Sequence, residues 1–99
     1  MEVRQTEEFQ TWLALMRDKH GRAKILIRLQ RLGNGNPGKV REVGGGISEM
    51  KINHGPGYRI YYVQRNKIAV VLLCGGDKDS QRRDIVRAKA IASNLEGID

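Results

Sequence analysis

Residues 47–63 read ISEMKINHGPGYRIYYV. Two short runs rich in β-branched and aromatic residues flank HGPG, the pattern of a β-hairpin with a glycine- and proline-built turn. Side chains alternate faces along a strand. Met50 and Ile52 therefore share one face, and Glu49 and Lys51 the other. On the second strand Tyr58, Ile60 and Tyr62 share a face, opposite Arg59, Tyr61 and Val63. A slip of one residue between the strands exchanges these sets. In one register Met50 and Ile52 join Tyr58, Ile60 and Tyr62 in an apolar layer. In the other, Arg59 is buried beside Met50 and Ile52. An unpaired cation in an apolar interior is costly, so the first register is expected.

That register gathers Glu49, Lys51, Arg59 and Tyr61 on one polar face. Cations directly opposite one another on paired strands repel. Either Glu49 neutralises them or an anion normally sits there. Phosphate is the natural anion, because arginine binds it with two parallel hydrogen bonds.

Outward from the hairpin, KVREV (39–43) precedes it and KIAVVLLC (67–74) follows it. Both read as strands, separated from it by the turn signals GGG and RN. Upstream, MEVRQ reads as a short strand. Phe9, Trp12, Leu13 and Met16 have the spacing of one helix face, with Thr6 as cap and Glu7 and Glu8 in the first turn. HGR (20–22) breaks that pattern. A second helix then carries an apolar stripe, Ile25, Leu29 and Leu32, and a basic stripe, Lys24, Arg28 and Arg31, and ends at Gly33 and Gly35. The two helices form a hairpin. The last helix lies in DSQRRDIVRAKAIASNLEG (79–97). Its apolar face is Ile85, Ala88, Ala92 and Leu95, its expected cap Asp77 or Asp79, and its expected stop Gly97. The order β-α-α-β-β-β-β-α predicts one α+β domain over residues 1–99. Helices are expected on one side of a mostly antiparallel sheet of four to five strands.

Eighteen Lys and Arg stand against eleven Asp and Glu, a formal net charge of +7 on 99 residues. Such an excess points to a polyanionic partner, nucleic acid or an acidic protein. The one cysteine, Cys74, lies inside an apolar run, where it excludes an internal disulfide and reads as a small core residue. No segment has the apolar length of a membrane span, and a cytoplasmic protein without a membrane partner is expected.

Two stretches, EMKINHGPGYRIYYV (49–63) and VVLLCGGDKDSQRRDIVRAKAIA (70–92), carry a family resemblance. The chain resembles the RelE/HigB-type toxins of bacterial type II toxin–antitoxin systems, within the RelE/ParE superfamily. More narrowly, it is similar to the addiction module killer protein group. The resemblance spans nearly the whole chain. It implies a microbial-RNase-like fold in which a helical hairpin and a C-terminal helix flank a curved sheet, with the first strand inserted into that sheet. It further implies a ribosome-dependent endoribonuclease that cuts mRNA without metal or other cofactor and uses the 2′-hydroxyl of the RNA as nucleophile. The implied partners are the ribosome, mRNA and a cognate antitoxin, expected to be a small helix-turn-helix protein.

Position by position, Lys51 matches the strand lysine that aids activation of the 2′-hydroxyl, and Arg59 the arginine that holds the scissile phosphate. Lys78 falls where relatives place a basic residue near the leaving group. Gln81 belongs to the narrower group's motif. Arg22, Lys24, Arg28 and Arg31, with His54, Tyr61 and Arg82, are the expected contacts to mRNA and ribosomal RNA. One departure stands out. Several relatives carry a Tyr or His in the first turns of the last helix, and SQRRDI (80–85) has neither; His54, in the hairpin loop, could supply an imidazole, although a loop histidine is more often a surface residue. Two other functions fit the fold: a ParE-like gyrase inhibitor, and a non-catalytic RNA-binding module. The lysine–arginine–lysine set favours the nuclease over the first, and the scarcity of aromatics counts against the second.

Overall fold

The computed structural model describes residues 1–67 and 69–95. Its elements follow the expected order. They are β1 (Glu2–Gln5), α1 (Glu7–Ala14), α2 (Lys19–Gly33), β2 (Val40–Glu42), β3 (Ile47–Ile52), β4 (Tyr58–Arg65), β5 (Ala69–Gly76) and α3 (Gln81–Ser93). The strands form one sheet in the order β1-β5-β4-β3-β2. β1 runs parallel to β5, and the other neighbours are antiparallel. The first strand is therefore added at an edge of the sheet rather than inserted between two strands.

The β3–β4 register is the one that burial of Arg59 among apolar residues would have forbidden to slip: Glu49 faces Tyr61, Met50 faces Ile60, Lys51 faces Arg59 and Ile52 faces Tyr58. Met50, Ile52, Ile60 and Tyr62, with Val70 and Leu72 of β5, pack under Phe9 of α1 and Ile25, Leu29 and Leu32 of α2. A second apolar layer lies on the opposite face. There Ile47, Tyr61, Val63, Val71, Leu73 and Cys74 meet Ala88 of α3 and Leu95 beyond it. The expectation of helices on one side is thus corrected. The helical hairpin covers one face and α3 covers part of the other. This explains why residues 69–74 are apolar without alternation: β5 is buried from both sides.

The local signals resolve in physical detail. Thr6 caps α1, its Oγ1 accepting from Phe9 N at 3.1 Å and donating to Leu73 O at 2.8 Å. HGR does not interrupt a helix. The break falls earlier, and α2 starts at Lys19, capped by Asp18, whose Oδ1 accepts from Gly21 N at 2.9 Å. Gly21 is tolerated inside the first turn because the Tyr58 ring packs there, and a Cβ would lie 2.6 Å from Tyr58 Cε2. α3 is entered through Ser80, which makes no side-chain capping bond to the helix backbone. Neither Asp77 nor Asp79 is its cap. Asp77 instead closes the preceding turn, its Oδ1 accepting from Asp79 N at 2.9 Å and Ser80 N at 3.1 Å. Gly97, the expected stop, lies outside the described residues.

β5 carries a bulge. Tyr61 pairs with Cys74 and Tyr62 with Leu72, leaving Leu73 as the extra residue. A bulge shifts the phase of side chains beyond it, so Gly76 comes opposite Arg59. Gly75 and Gly76 remain in the strand, and neither has the positive φ of a turn glycine. They are there for space. A Cβ on Gly75 would stand 2.4 Å from the Trp12 ring, and one on Gly76 would collide with Asp84 Oδ2 at 1.8 Å. Gly75→Ala is accordingly expected to destabilise by about 1–3 kcal/mol, the usual cost of overpacking. Combining it with Trp12→Leu should recover part of that loss, as coupled neighbours do. Urea unfolding of the single and double variants measures this, and strictly additive losses would contradict it.

Candidate active site

The site grows from the β3–β4 register. Lys51 and Arg59 are direct cross-strand partners, and Glu49 lies two residues before Lys51 on the same face. Lys51 is exposed, whereas Arg59 and Glu49 are each 6% exposed. Arg59 Nη1 donates to Gly57 O at 2.8 Å, which aims the guanidinium along the sheet face. Glu49 is the hub behind the two cations. Its Oε1 is 3.2 Å from Arg41 Nη2 on β2, its Oε2 accepts from Gln81 Nε2 of α3 at 2.8 Å, and Arg59 Nε lies 3.9 Å away. A buried carboxylate needs such partners. Glu49 thus neutralises part of the charge, as one of the two explanations for the paired cations requires.

It does not neutralise all of it. Two clefts meet at Lys51, Asn53 and Arg59. One, of about 470 Å³, is bounded by Arg28, Lys39, Arg41, Glu49 and Gln81. The other, of about 420 Å³, is bounded by the β3–β4 loop, His54 to Gly57, and by Lys78. Six cationic side chains and a single carboxylate line the pair. Among the described residues, no carboxylate pairs with Lys51 or Lys78.

Lys78 reaches this position through its turn. Its backbone N donates to Pro56 O at 3.3 Å, joining the segment after β5 to the β3–β4 loop. Ser80 Oγ hydrogen-bonds both Asp77 N (3.1 Å) and Asp84 Oδ2 (2.5 Å), which braces the turn from behind.

The other sequence-derived residues divide. Arg28 borders the larger cleft, its guanidinium donating to Lys51 O at 3.1 Å and Pro37 O at 3.2 Å. Arg22 ties the α1–α2 link, donating to Ala14 O at 2.8 Å and Met16 O at 2.9 Å. Lys24 and Arg31 are exposed on α2, and Arg82 is exposed in the first turn of α3. The basic stripe is therefore not one surface with one role. Tyr61 is a correction. It shares the face of Lys51 and Arg59 but is fully buried under α3, so its ring is not open to RNA. Burial first, and the Glu49 charge next, push its phenol above the ordinary tyrosine value. Cys74 sits in the same layer, and burial pushes its thiol up to about 12, consistent with a core role.

One constellation was not legible beforehand. His54 Nε2 lies 3.3 Å from Asp18 Oδ2, and Tyr58 Oη donates to the same oxygen at 2.8 Å. The N-cap of α2 thereby holds the wall of the smaller cleft. The signal available was DKHG (18–21), an aspartate three residues before a glycine, which reads as a cap once the helix is started at Lys19.

Residues 9–95 match the family described as phage derived protein Gp49-like (DUF891). The chain belongs to the Gp49-like family. An uncharacterised protein of Haemophilus influenzae (strain ATCC 51907 / DSM 11121 / KW20 / Rd) is 41% identical over 95 residues, which is 96% of each chain. The Gp49-like family is associated with toxin–antitoxin modules. In this member no helix among the described residues is long and apolar enough to cross a membrane.

The Asp18 contacts predict a pH response. Gly21 N–H first, then the Tyr58 hydroxyl and His54, hold the Asp18 carboxyl below its ordinary value of 3.8. A carboxyl with a lowered folded-state pKa stabilises the fold above its unfolded value, and that contribution is lost as pH falls through the lowered one. Asp18→Asn keeps a capping oxygen but not the charge. It is expected to flatten the acid limb of stability below pH 3.8. Thermal melts of both proteins across that range test this, and parallel acid limbs would contradict it.

Proposed function

We propose that this protein is the toxin of a toxin–antitoxin module and acts as a RelE/HigB-like endoribonuclease on mRNA in the ribosome. The observation that carries this reading is the convergence of Lys51, Arg59 and Lys78 on one cleft containing no carboxylate. Three cations from β3, β4 and the turn after β5 form a cradle for a phosphodiester.

The roles follow from position. Arg59, held by Gly57 and Glu49, is the most buried of the three cations and binds the scissile phosphate. Lys51, exposed beside it, stabilises the 2′-oxygen as it loses its proton. Lys78, across the cleft, offsets charge on the phosphorane and on the departing 5′-oxygen. Preorganised charges of this kind act most strongly where charge develops in the transition state. Gln81 serves the site indirectly: its bond to Glu49 keeps that carboxylate turned toward Arg41 and Arg59. Attack of the 2′-oxygen leaves a 2′,3′-cyclic phosphate and a 5′-hydroxyl. Arg28 and the exposed Lys24, Arg31 and Arg82 are assigned to ribosomal or messenger RNA, and Arg22 to the α1–α2 link.

A non-catalytic RNA-binding module has less support. Of the five aromatic side chains, Phe9, Tyr61 and Tyr62 are buried. Trp12 and Tyr58 pack against the first core. None of the five is a fully exposed ring of the kind a stacking platform uses. A gyrase inhibitor on this fold would have no use for the cradle. The antitoxin of such a toxin is expected to present acidic side chains to this surface, with association that slows as salt rises.

Brief induction followed by mapping of mRNA ends tests the reading. Cuts confined to translated codons are expected from the wild type. Lys51→Ala and Lys78→Ala should fold normally and reduce cleavage about 10²–10³-fold each, the scale for removing one transition-state charge partner. Arg59→Lys, which keeps a charge beside Glu49, should fold but lose the bidentate grip. Intact mRNA with damaged DNA would favour the gyrase alternative. Wild-type cleavage by Lys78→Ala would remove Lys78 from the site.

A further inference from the structure

We propose that His54 is the general acid of this cleavage, delivering a proton to the departing 5′-oxygen, with Asp18 and Tyr58 as its positioning residues. The inference rests on the endoribonuclease reading and names the group which that reading lacks.

The need is chemical. An alkoxide is a poor leaving group, and a positioned acid that protonates it accelerates the step. Arginine cannot release a proton at neutral pH, and lysine holds its own tightly unless strongly perturbed. Lys51, Arg59 and Lys78 are thus suited to stabilising charge rather than to proton transfer. Residues 80–85 at the start of the last helix supply no tyrosine or histidine. Among the side chains lining the smaller cleft, His54 is the imidazole, the side-chain type most often used for general acid–base work.

The geometry is that of an oriented group rather than of a surface histidine. His54 lies in the β3–β4 loop and shares its cleft with all three cations. Gly55 and Gly57 have φ of 53° and 76°, which lets the chain fold back toward β4 within five residues. The ring is 27% exposed, with Nε2 set 3.3 Å from Asp18 Oδ2. Asp18 is itself fixed, by Gly21 N at 2.9 Å and by Tyr58 Oη at 2.8 Å. A carboxylate on one ring nitrogen orients the imidazole and leaves Nδ1 for the substrate. The charged and titratable groups near the ring include Asp18 and Tyr58 on one side, with Asp77 close enough to act on Tyr58, and Lys51, Arg59 and Lys78 across the cleft.

The 2′-hydroxyl gives its proton to water beside Lys51, and its oxygen forms the new bond to phosphorus. The bond from phosphorus to O5′ breaks, and its electron pair remains on O5′. The proton of the His54 imidazolium neutralises that oxygen, and His54 is reprotonated from solvent.

A leaving group that needs no proton separates this role from a structural one. The wild-type cut site is first mapped on a short mRNA presented on ribosomes. The same mRNA is then prepared with sulfur in place of the bridging 5′-oxygen at that site, so that a thiolate departs. His54→Ala is expected to cut the oxygen substrate about 10²–10⁴-fold more slowly, the range for a lost general acid, and the sulfur substrate at close to the wild-type rate. Asp18→Asn should show a smaller loss with the same rescue. Lys51→Ala should remain impaired on both. Equal impairment of His54→Ala on both substrates would make His54 a loop-shaping or RNA-contact residue and overturn the proposal. So would cleavage of the oxygen substrate by His54→Ala at the wild-type rate. Failure of the wild type to cut either substrate would instead overturn the endoribonuclease reading on which this one stands.

Discussion

Lys51 and Arg59 face each other directly across β3 and β4, and the rest of the molecule is arranged around that repulsive pair. Like charges in this position destabilise a sheet. What permits the arrangement is Glu49, a buried carboxylate on the same face. It draws Arg41 from β2, Gln81 from α3 and Arg59 from β4 toward one point. Removing Glu49 from such a set typically costs about 3–5 kcal/mol, because it leaves the buried Arg59 charge without compensation. The hub therefore belongs to fold and site together. It anchors Arg59 while leaving Lys51 and Lys78 unpaired among the described residues.

The two-sided sheet explains how so small a chain holds an exposed cationic site without losing its core. The helical hairpin closes one face completely enough to bury Met50, Ile52, Ile60 and Tyr62. α3 covers the opposite face over Ile47, Tyr61 and Val63. The far end of that face, at Lys51 and Arg59, borders the two clefts. The bulge at Leu73 brings Gly76 opposite Arg59. A glycine there admits Asp84 and Ser80, which brace the turn that carries Lys78. Space at Gly76, rather than turn angles, is what lets the chain after β5 bring Lys78 to the smaller cleft.

Much of this was legible in the sequence, for definite reasons. The hairpin register followed from one energetic exclusion, the burial of Arg59 among apolar residues. The order of elements followed from period and punctuation. Other features were hidden because they depend on long-range contacts. Alternation places Tyr61 on the polar face, but only the docking of α3 decides that this part of the face is buried. The run of apolar residues in β5 signals burial on both sides, and it was the evidence against helices on one side only. The need for Gly75 and Gly76 was hidden because the side chains that exclude a Cβ there, Trp12 and Asp84, come from other elements. The Asp18–His54 contact joins residues 36 positions apart and was masked by placing a helix break at HGR.

The central claim is that the paired cations await an anion. Thermal unfolding in phosphate and in chloride at matched ionic strength tests it most directly, with the Lys51→Ala, Lys78→Ala double variant as the control for nonspecific salt effects. A ligand that binds the folded state raises its melting temperature with concentration. The account predicts a larger gain from phosphate in the wild type than in the double variant. Equal gains in the two proteins would show that no anion site lies between Lys51, Arg59 and Lys78, and would contradict it.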